Sequence, residues 1–163
     1  MILVLALDPA LPENRVTLDK NGDPVVAYTL TDPVLDSLHA SMLASAKVFF
    51  AAGANRVHAP AGETFFIDAA DADRVDQLIP RANVKPGKIS ITSAHLMGGC
   101  AMGRDASDSV TDGWGRVHDM PWLYVADSSL FPQCSEVNPY VTVMALADKV
   151  AEGIRTNAGE LLS

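Results

Sequence analysis

No run in the sequence approaches the ~20 consecutive apolar residues of a membrane-spanning helix. Residues Met1–Ala6 are apolar, but no basic segment accompanies them and Asp8-Pro9 stops the run, so no signal peptide is expected. The chain therefore reads as soluble, with the cytoplasm as the expected compartment. An apolar run that opens at Met1 fits a chain cut within a larger domain and a short native edge strand equally well. Cysteine is scarce: Cys100 and Cys134 are the only two. That excludes a zinc site built from cysteines alone and a disulfide-dense scaffold. Both read as small buried residues, with one bridge between them left open. Positive charge is scarce as well, with 12 Lys plus Arg against 20 Asp plus Glu and a formal charge of -8. Without a basic stripe, binding to a nucleic-acid backbone is not expected. The sequence also has no G-x-G-x-x-G, the turn that seats a dinucleotide diphosphate on a helix N-terminus.

What is present is ordinary globular material: 163 residues, 48% hydrophobic and 20% charged, with no internal repeat. One domain over residues 1–163 with a sizeable core is the expected organisation. Met1–Leu7 is a strand candidate. Arg15–Asp19 and Pro24–Leu30 flank Asn21-Gly22, which predicts an antiparallel hairpin because both turn residues tolerate positive φ. Asp32-Pro33 predicts a helix start, with aspartate as cap and proline in the first turn. Leu35, Leu38, Met42, Ala46, Phe49 and Phe50 then form one helical stripe, and Gly53 is the expected stop. His39 beside that stripe reads as a boundary histidine. Val57–Ala59 and Thr64–Ile67 are short strand candidates. Asp71–Ile79 is a short helix candidate, ended by Pro80. The acids Asp68, Asp71, Asp73 and Asp76 do not match a calcium-loop spacing and read as a solvated helix start, so no metal site is expected.

Lys88–Thr92 alternates as a strand does, Trp122–Ala126 is a further strand candidate, and Pro139–Ile154 carries a helical stripe of Val143, Leu146, Ala147, Val150 and Ile154. The tail from Arg155 is expected to fray. With helices mixed among strands and one clear antiparallel pairing, the fold class is α+β: an antiparallel or mixed sheet packed with helices.

The chemistry-bearing residues gather in the last 70 positions. His95 opens a glycine-dense loop, His95-Leu-Met-Gly-Gly-Cys-Ala-Met-Gly103, suited to close backbone approach. Leu123–Asp127 places a carboxylate at a strand end, and Asn138-Pro139 opens the last helix, with Asn138 a natural cap. Taken singly, each has a plainer reading: a bonded histidine, a turn-capping aspartate, a helix-capping asparagine, a tight glycine turn. His118 reads as structural, and Trp114 and Trp122 as packing residues.

The ordered set Ser93–Gly103, Gly115-Arg-Val-His118, Leu123–Pro132 and Val137–Ala147 resembles the C-terminal part of the glucose–methanol–choline (GMC) flavoprotein oxidoreductases, most strongly over residues 85–155. The resemblance implies oxidation of a small-molecule alcohol at its CH-OH group, the proton passing to His95 and a hydride to flavin N5. It places the second active-site position, histidine or asparagine in the family, at Asn138, whose amide orients the substrate oxygen. Asp127 and Ser128 are implied on the ribityl or diphosphate side of FAD. Pro139, Tyr140 and Val141 are implied at a helix N-terminus facing the flavin, where negative charge on the reduced ring is stabilised. Because the family keeps its dinucleotide fingerprint elsewhere, this chain is expected to retain FAD poorly alone and to need an FAD-binding domain or subunit; self-association into a homo-oligomer is the other way to cover its apolar surface. Oxidase and dehydrogenase stand equal. A structural or interaction remnant without catalysis, or a module binding a small apolar ligand at the Gly-Met loop, are the alternatives.

Overall fold

The computed structural model describes residues 1–61 and 65–161. In chain order its elements are β1 (Arg15–Leu18), β2 (Pro24–Ala27), α1 (Asp32–Ala51), β3 (Arg56–Ala59), β4 (Phe65–Asp68), α2 (Val75–Leu78), β5 (Arg116–Val117), β6 (Met120–Tyr124), α3 (Tyr140–Thr156) and α4 (Ala158–Leu161). Among the described residues the strands pair only as the antiparallel hairpins β1-β2, β3-β4 and β5-β6. The class is therefore α+β, with three two-stranded sheets in place of one larger sheet. The chain divides into two compact units, one of residues 1–8 and 30–92 and the other of residues 9–29 and 93–163.

In the first unit the stripe on α1 does what its spacing predicts. Leu35 and Ala46 are buried, with Leu38, Met42, Phe49 and Phe50 partly so. Ala46 joins Ala59, Ile67, Val75 and Ile79 in a core flanked by Met42, Leu43, Phe50, Val57, Phe65 and Leu78. Thr31, not Asp32, is the N-cap, and it offers no side-chain cap bond. Asp32 instead lies in the first turn and pairs with Arg81 at 3.0 Å, while the same guanidinium also binds Asp36. At the other end Gly53 adopts φ +88. Its N–H donates to Phe50 O at 2.9 Å and that of Ala54 to Phe49 O at 3.0 Å, the paired closure that a left-handed glycine permits.

His39 is tied down structurally, its Nε2 lying 2.7 Å from Ile79 O. A carbonyl only accepts, so that nitrogen carries the proton. The short helix begins as a 3₁₀ segment over Ala69–Arg74 before α2, and Val75 and Ile79 point inward. Three of the four nearby acids are ion-paired: Asp68 with Arg56, Asp71 with Arg74 and Asp76 with Lys47. No three His, Cys, Asp or Glu side chains among the described residues are grouped to hold a metal. Thr64, expected in a strand, lies outside the described residues, and β4 begins at Phe65. Two strand expectations fail in this unit. Met1–Leu7 forms no strand, although its odd-numbered residues are exposed while Val4 and Ala6 are half-buried, because no segment pairs with it. Lys88–Thr92 contributes only isolated bridges at Ile89, to Ala61 and to Pro86.

In the second unit the β1-β2 hairpin forms in the expected place, with Val16 opposite Val26. Its turn is wider than a two-residue Asn-Gly turn. Asp19 Oδ1 accepts from the N–H groups of Asn21 at 2.8 Å and Asp23 at 2.9 Å, and only Gly22, at φ +87, is left-handed. The amide of Asn14 brackets the open end by donating to Thr29 O and accepting from Thr29 N–H. The strand expected at Trp122–Ala126 runs two residues earlier, and Val125 N–H then donates to Gly115 O at 2.8 Å. Helix α3 continues through Thr156 and a further turn, α4, follows it, so the described residues beyond Arg155 are mostly helical where fraying was expected. Val150 is buried on its inner face, and Ile154 is more exposed than its place in the stripe suggests.

Gly53 and Gly115 test these local arguments separately. A β-carbon at Gly53 meets nothing within 4 Å, so Gly53→Ala should lower stability by only the ~1 kcal/mol of left-handed strain. At Gly115, φ +74, a β-carbon collides with Val125 O and lies 2.6 Å from Val150 Cγ2. Gly115→Ala should therefore lose about 1–3 kcal/mol more. Equal shifts of the urea midpoint in the two variants would contradict this account.

Candidate active site

All the residues singled out as an active site fall in the second unit. Its centre is a junction between the glycine loop and the segment that follows β6. Cys100 N–H donates to Ser129 O at 3.0 Å, and Met102 N–H donates to Leu130 O at 2.9 Å. Leu130 is wholly buried beneath this junction. Two glycines of the loop are needed for different reasons: Gly98 for its left-handed φ of +84, and Gly103 because a β-carbon there would lie only 2.6 Å from Ser109 Cβ. Thr111, with no exposed surface, holds the loop from the other side, its Oγ1 lying 3.5 Å from Cys100 O while Gly103 N–H donates to Thr111 O at 2.8 Å.

His95 lies at the head of this loop in a bend, half-buried, with no hydrogen bond to its ring among the described residues. An imidazole held in that way keeps a lone pair for an incoming hydroxyl. His118 differs. Ser109 Oγ donates to Asp105 O at 2.6 Å and so accepts from His118 Nε2 at 2.9 Å, which fixes that proton and gives His118 a structural part.

Asp127 stands at the C-terminal end of the β6 segment and caps the 3₁₀ turn Ser128–Leu130, its Oδ1 accepting from Ser129 N–H at 2.7 Å. The Ser129 side chain first, and then its backbone N–H, hold the Asp127 carboxyl below the usual carboxylate value. The carboxylate is exposed, and its remaining lone pairs can accept from hydroxyl groups. Ser128, expected beside it as a cofactor contact, donates its hydroxyl to Leu96 O at 2.7 Å.

Asn138, Pro139, Tyr140 and Val141 form the second cluster, at the start of the 17-residue α3. Asn138 is not the cap: the helix begins one residue later, Pro139 occupies the N-cap position, and no side chain caps the turn. The first helical bond is Val143 N–H to Pro139 O, so the N–H groups of Tyr140, Val141 and Thr142 have no helical acceptor. The Asn138 amide is exposed and makes no hydrogen bond among the described residues, leaving both its NH2 and its oxygen for a ligand. Tyr140 is 67% and Val141 61% exposed. None of Asn138–Val141 is hydrogen-bonded to His95 or Asp127. The structure thus joins His95 to Asp127 and Ser128 through the loop junction, and presents the helix start as a separate donor edge.

These groups suit one end of a flavin. An uncapped helix start complements an anionic ring edge, and a hydrogen-bonded carboxylate complements sugar-like hydroxyls. Nothing in the second unit supplies the glycine turn for the ADP half. No disulfide joins Cys100 and Cys134. Trp114 packs on α3, as expected, with Lys149 Nζ 5.0 Å from its ring centroid, whereas Trp122 is 69% exposed and is not a packing residue. Among the described residues no helix is long and apolar enough to cross a membrane. Thr111, Ser109 and the bond from Ser128 to Leu96 were not legible beforehand, since a polar residue in a polar loop carries no sequence mark of its partner.

Residues 10–147 match the family model described as GMC oxidoreductase. A long-chain-alcohol oxidase of Arabidopsis thaliana is 32% identical over 143 residues, covering 85% of this chain and 20% of the relative. Paromamine 6'-oxidase of Streptomyces fradiae is 44% identical over 71 residues, 44% of this chain and 13% of the relative. A 2-methyl-1,2-propanediol dehydrogenase of Mycolicibacterium austroafricanum is 38% identical over 68 residues, 42% of this chain and 12% of the relative. The chain thus spans a fifth or less of the length of these relatives.

The Asp127 turn gives a pH prediction. A carboxyl whose folded pKa is depressed stabilises the turn above the unfolded value, and that contribution disappears as pH falls through the folded pKa. A carbon-13 NMR titration should place the Asp127 midpoint below 3.8. Protection of the Ser129 amide should decline over the same acidic range. A midpoint at or above 3.8 contradicts the cap.

Proposed function

The chain belongs to the GMC oxidoreductase family, as its C-terminal domain, and from that premise we propose that it supplies the base and the substrate-orienting amide of an FAD-dependent alcohol oxidation. The observation that carries this reading is the pair of uncommitted side chains at the family's positions. Among the described residues, neither the His95 ring nor the Asn138 amide has a hydrogen-bond partner, and both lie within one compact unit.

In this reading His95 takes the hydroxyl proton of the alcohol on a ring nitrogen as the C–H bond breaks. Asn138 donates its NH2 to the same oxygen and holds the carbon in line for transfer. FAD, when bound, accepts the hydride. The open N–H groups of Tyr140 and Val141, at the helix start shaped by Pro139, would hold the pyrimidine edge of the flavin, and Asp127 would accept from its ribityl hydroxyls. Residues 1–163 act as one C-terminal functional domain, and the ADP half of the cofactor is held by a flavin-bearing domain or subunit. Exposed apolar side chains in the second unit, among them Leu96, Val137, Tyr140, Val141 and Met144, suit such a partner. The substrate class is a small-molecule alcohol, as the names of the relatives suggest of those proteins.

Two measurements test this. The 163-residue chain purified alone should carry no stoichiometric FAD; full retention would overturn the need for a partner. Joined to a flavin-bearing portion, His95→Ala should slow anaerobic flavin reduction by alcohol ~100- to 10,000-fold with flavin content unchanged. An unaltered rate would remove His95 as the base.

A further inference from the structure

The geometry points to Ser128 as the residue that positions His95, a part distinct from the cofactor contact expected of it. This rests on the proposed role of His95. Residues 91–99 belong to no helix or strand. Ser90 N–H donates to Pro60 O before this stretch and Cys100 N–H to Ser129 O after it. Between those two, the one hydrogen bond among the described residues is Ser128 Oγ to Leu96 O, at 2.7 Å and 32 residues apart in sequence.

The bond falls on the residue next to His95, whose own ring is unbonded. Leu96 is 74% exposed and supplies no packing anchor of its own. Ser128 is itself the first residue of the turn that Asp127 caps. A single hydroxyl therefore couples the backbone at the base to the rigid end of the β6 segment, and fixes where the imidazole stands relative to the Asp127 turn. A segment held at one point loses its preferred conformation when that point is lost, and misplacing a reacting group by about 1 Å lowers a rate by about 100-fold.

The test uses the enzyme assembled with its flavin-bearing portion and compares Ser128→Ala, Ser128→Thr and His95→Ala. Flavin content, the rate of anaerobic flavin reduction and hydrogen–deuterium exchange are measured for each. Ser128→Ala should keep its flavin, slow reduction about tenfold to a hundredfold and speed exchange only in peptides covering residues 91–99. Ser128→Thr, which keeps the hydroxyl, should restore both rate and protection. Wild-type reduction and exchange in Ser128→Ala, with His95→Ala still inactive, would overturn the tether while leaving the base in place. Loss of flavin from Ser128→Ala would mark a cofactor contact, and faster exchange throughout the chain a general structural role; either overturns the proposal. An unaffected rate in His95→Ala would instead refute the base assignment beneath it.

Discussion

Hydrogen-bonding groups on a glycine loop have few side chains to shield or satisfy them, so such a loop keeps one shape only if a neighbouring segment pairs with its backbone. In this chain that neighbour is the segment after β6. The N–H groups of Cys100 and Met102 are taken by the carbonyls of Ser129 and Leu130, and the side chain of Ser128 reaches back to Leu96. Leu130 and Thr111, which take part in these contacts, are both fully buried. The Asp127 turn and the loop headed by His95 are therefore one rigid piece joined by backbone contacts. At two of the glycines a neighbouring segment occupies the space a side chain would need: Ser109 at Gly103, and Val125 with Val150 at Gly115.

That rigidity ends where a ligand would have to be met. The ring of His95, the amide of Asn138 and the first N–H groups of α3 have no hydrogen-bond partner among the described residues. Tyr140, Val141 and Met144 extend this open edge as exposed apolar surface. Polar groups without partners beside apolar groups without cover are the two halves of a surface made to receive something. In the proposed assembly the flavin meets the first and its carrier domain the second.

Local patterns made much of the fold legible. The stripe on α1, its glycine stop, the antiparallel hairpin around Gly22 and the inward face of α3 all follow from spacing and turn chemistry, which are decided within a few residues. Strands at Met1–Leu7 and Lys88–Thr92 did not form because an apolar run or an alternating one does not state whether a partner exists. Asn138 was misread as a cap for a similar reason: the residue type suits the position, but the helix starts one residue later at its expense. The ordered blocks around His95 and Asn138 made the site readable as chemistry. What they left hidden was the support beneath it, since the Ser128 tether and the burial of Thr111 join residues far apart in sequence.

The most direct test is a crystal structure of the flavin-loaded enzyme holding an alcohol or its carbonyl product. A ring nitrogen of His95 and the amide nitrogen of Asn138 should both lie about 2.7–3.2 Å from the same ligand oxygen. A ligand oxygen that reaches neither, or an Asn138 amide turned away to another partner while His95 alone makes contact, would contradict the account.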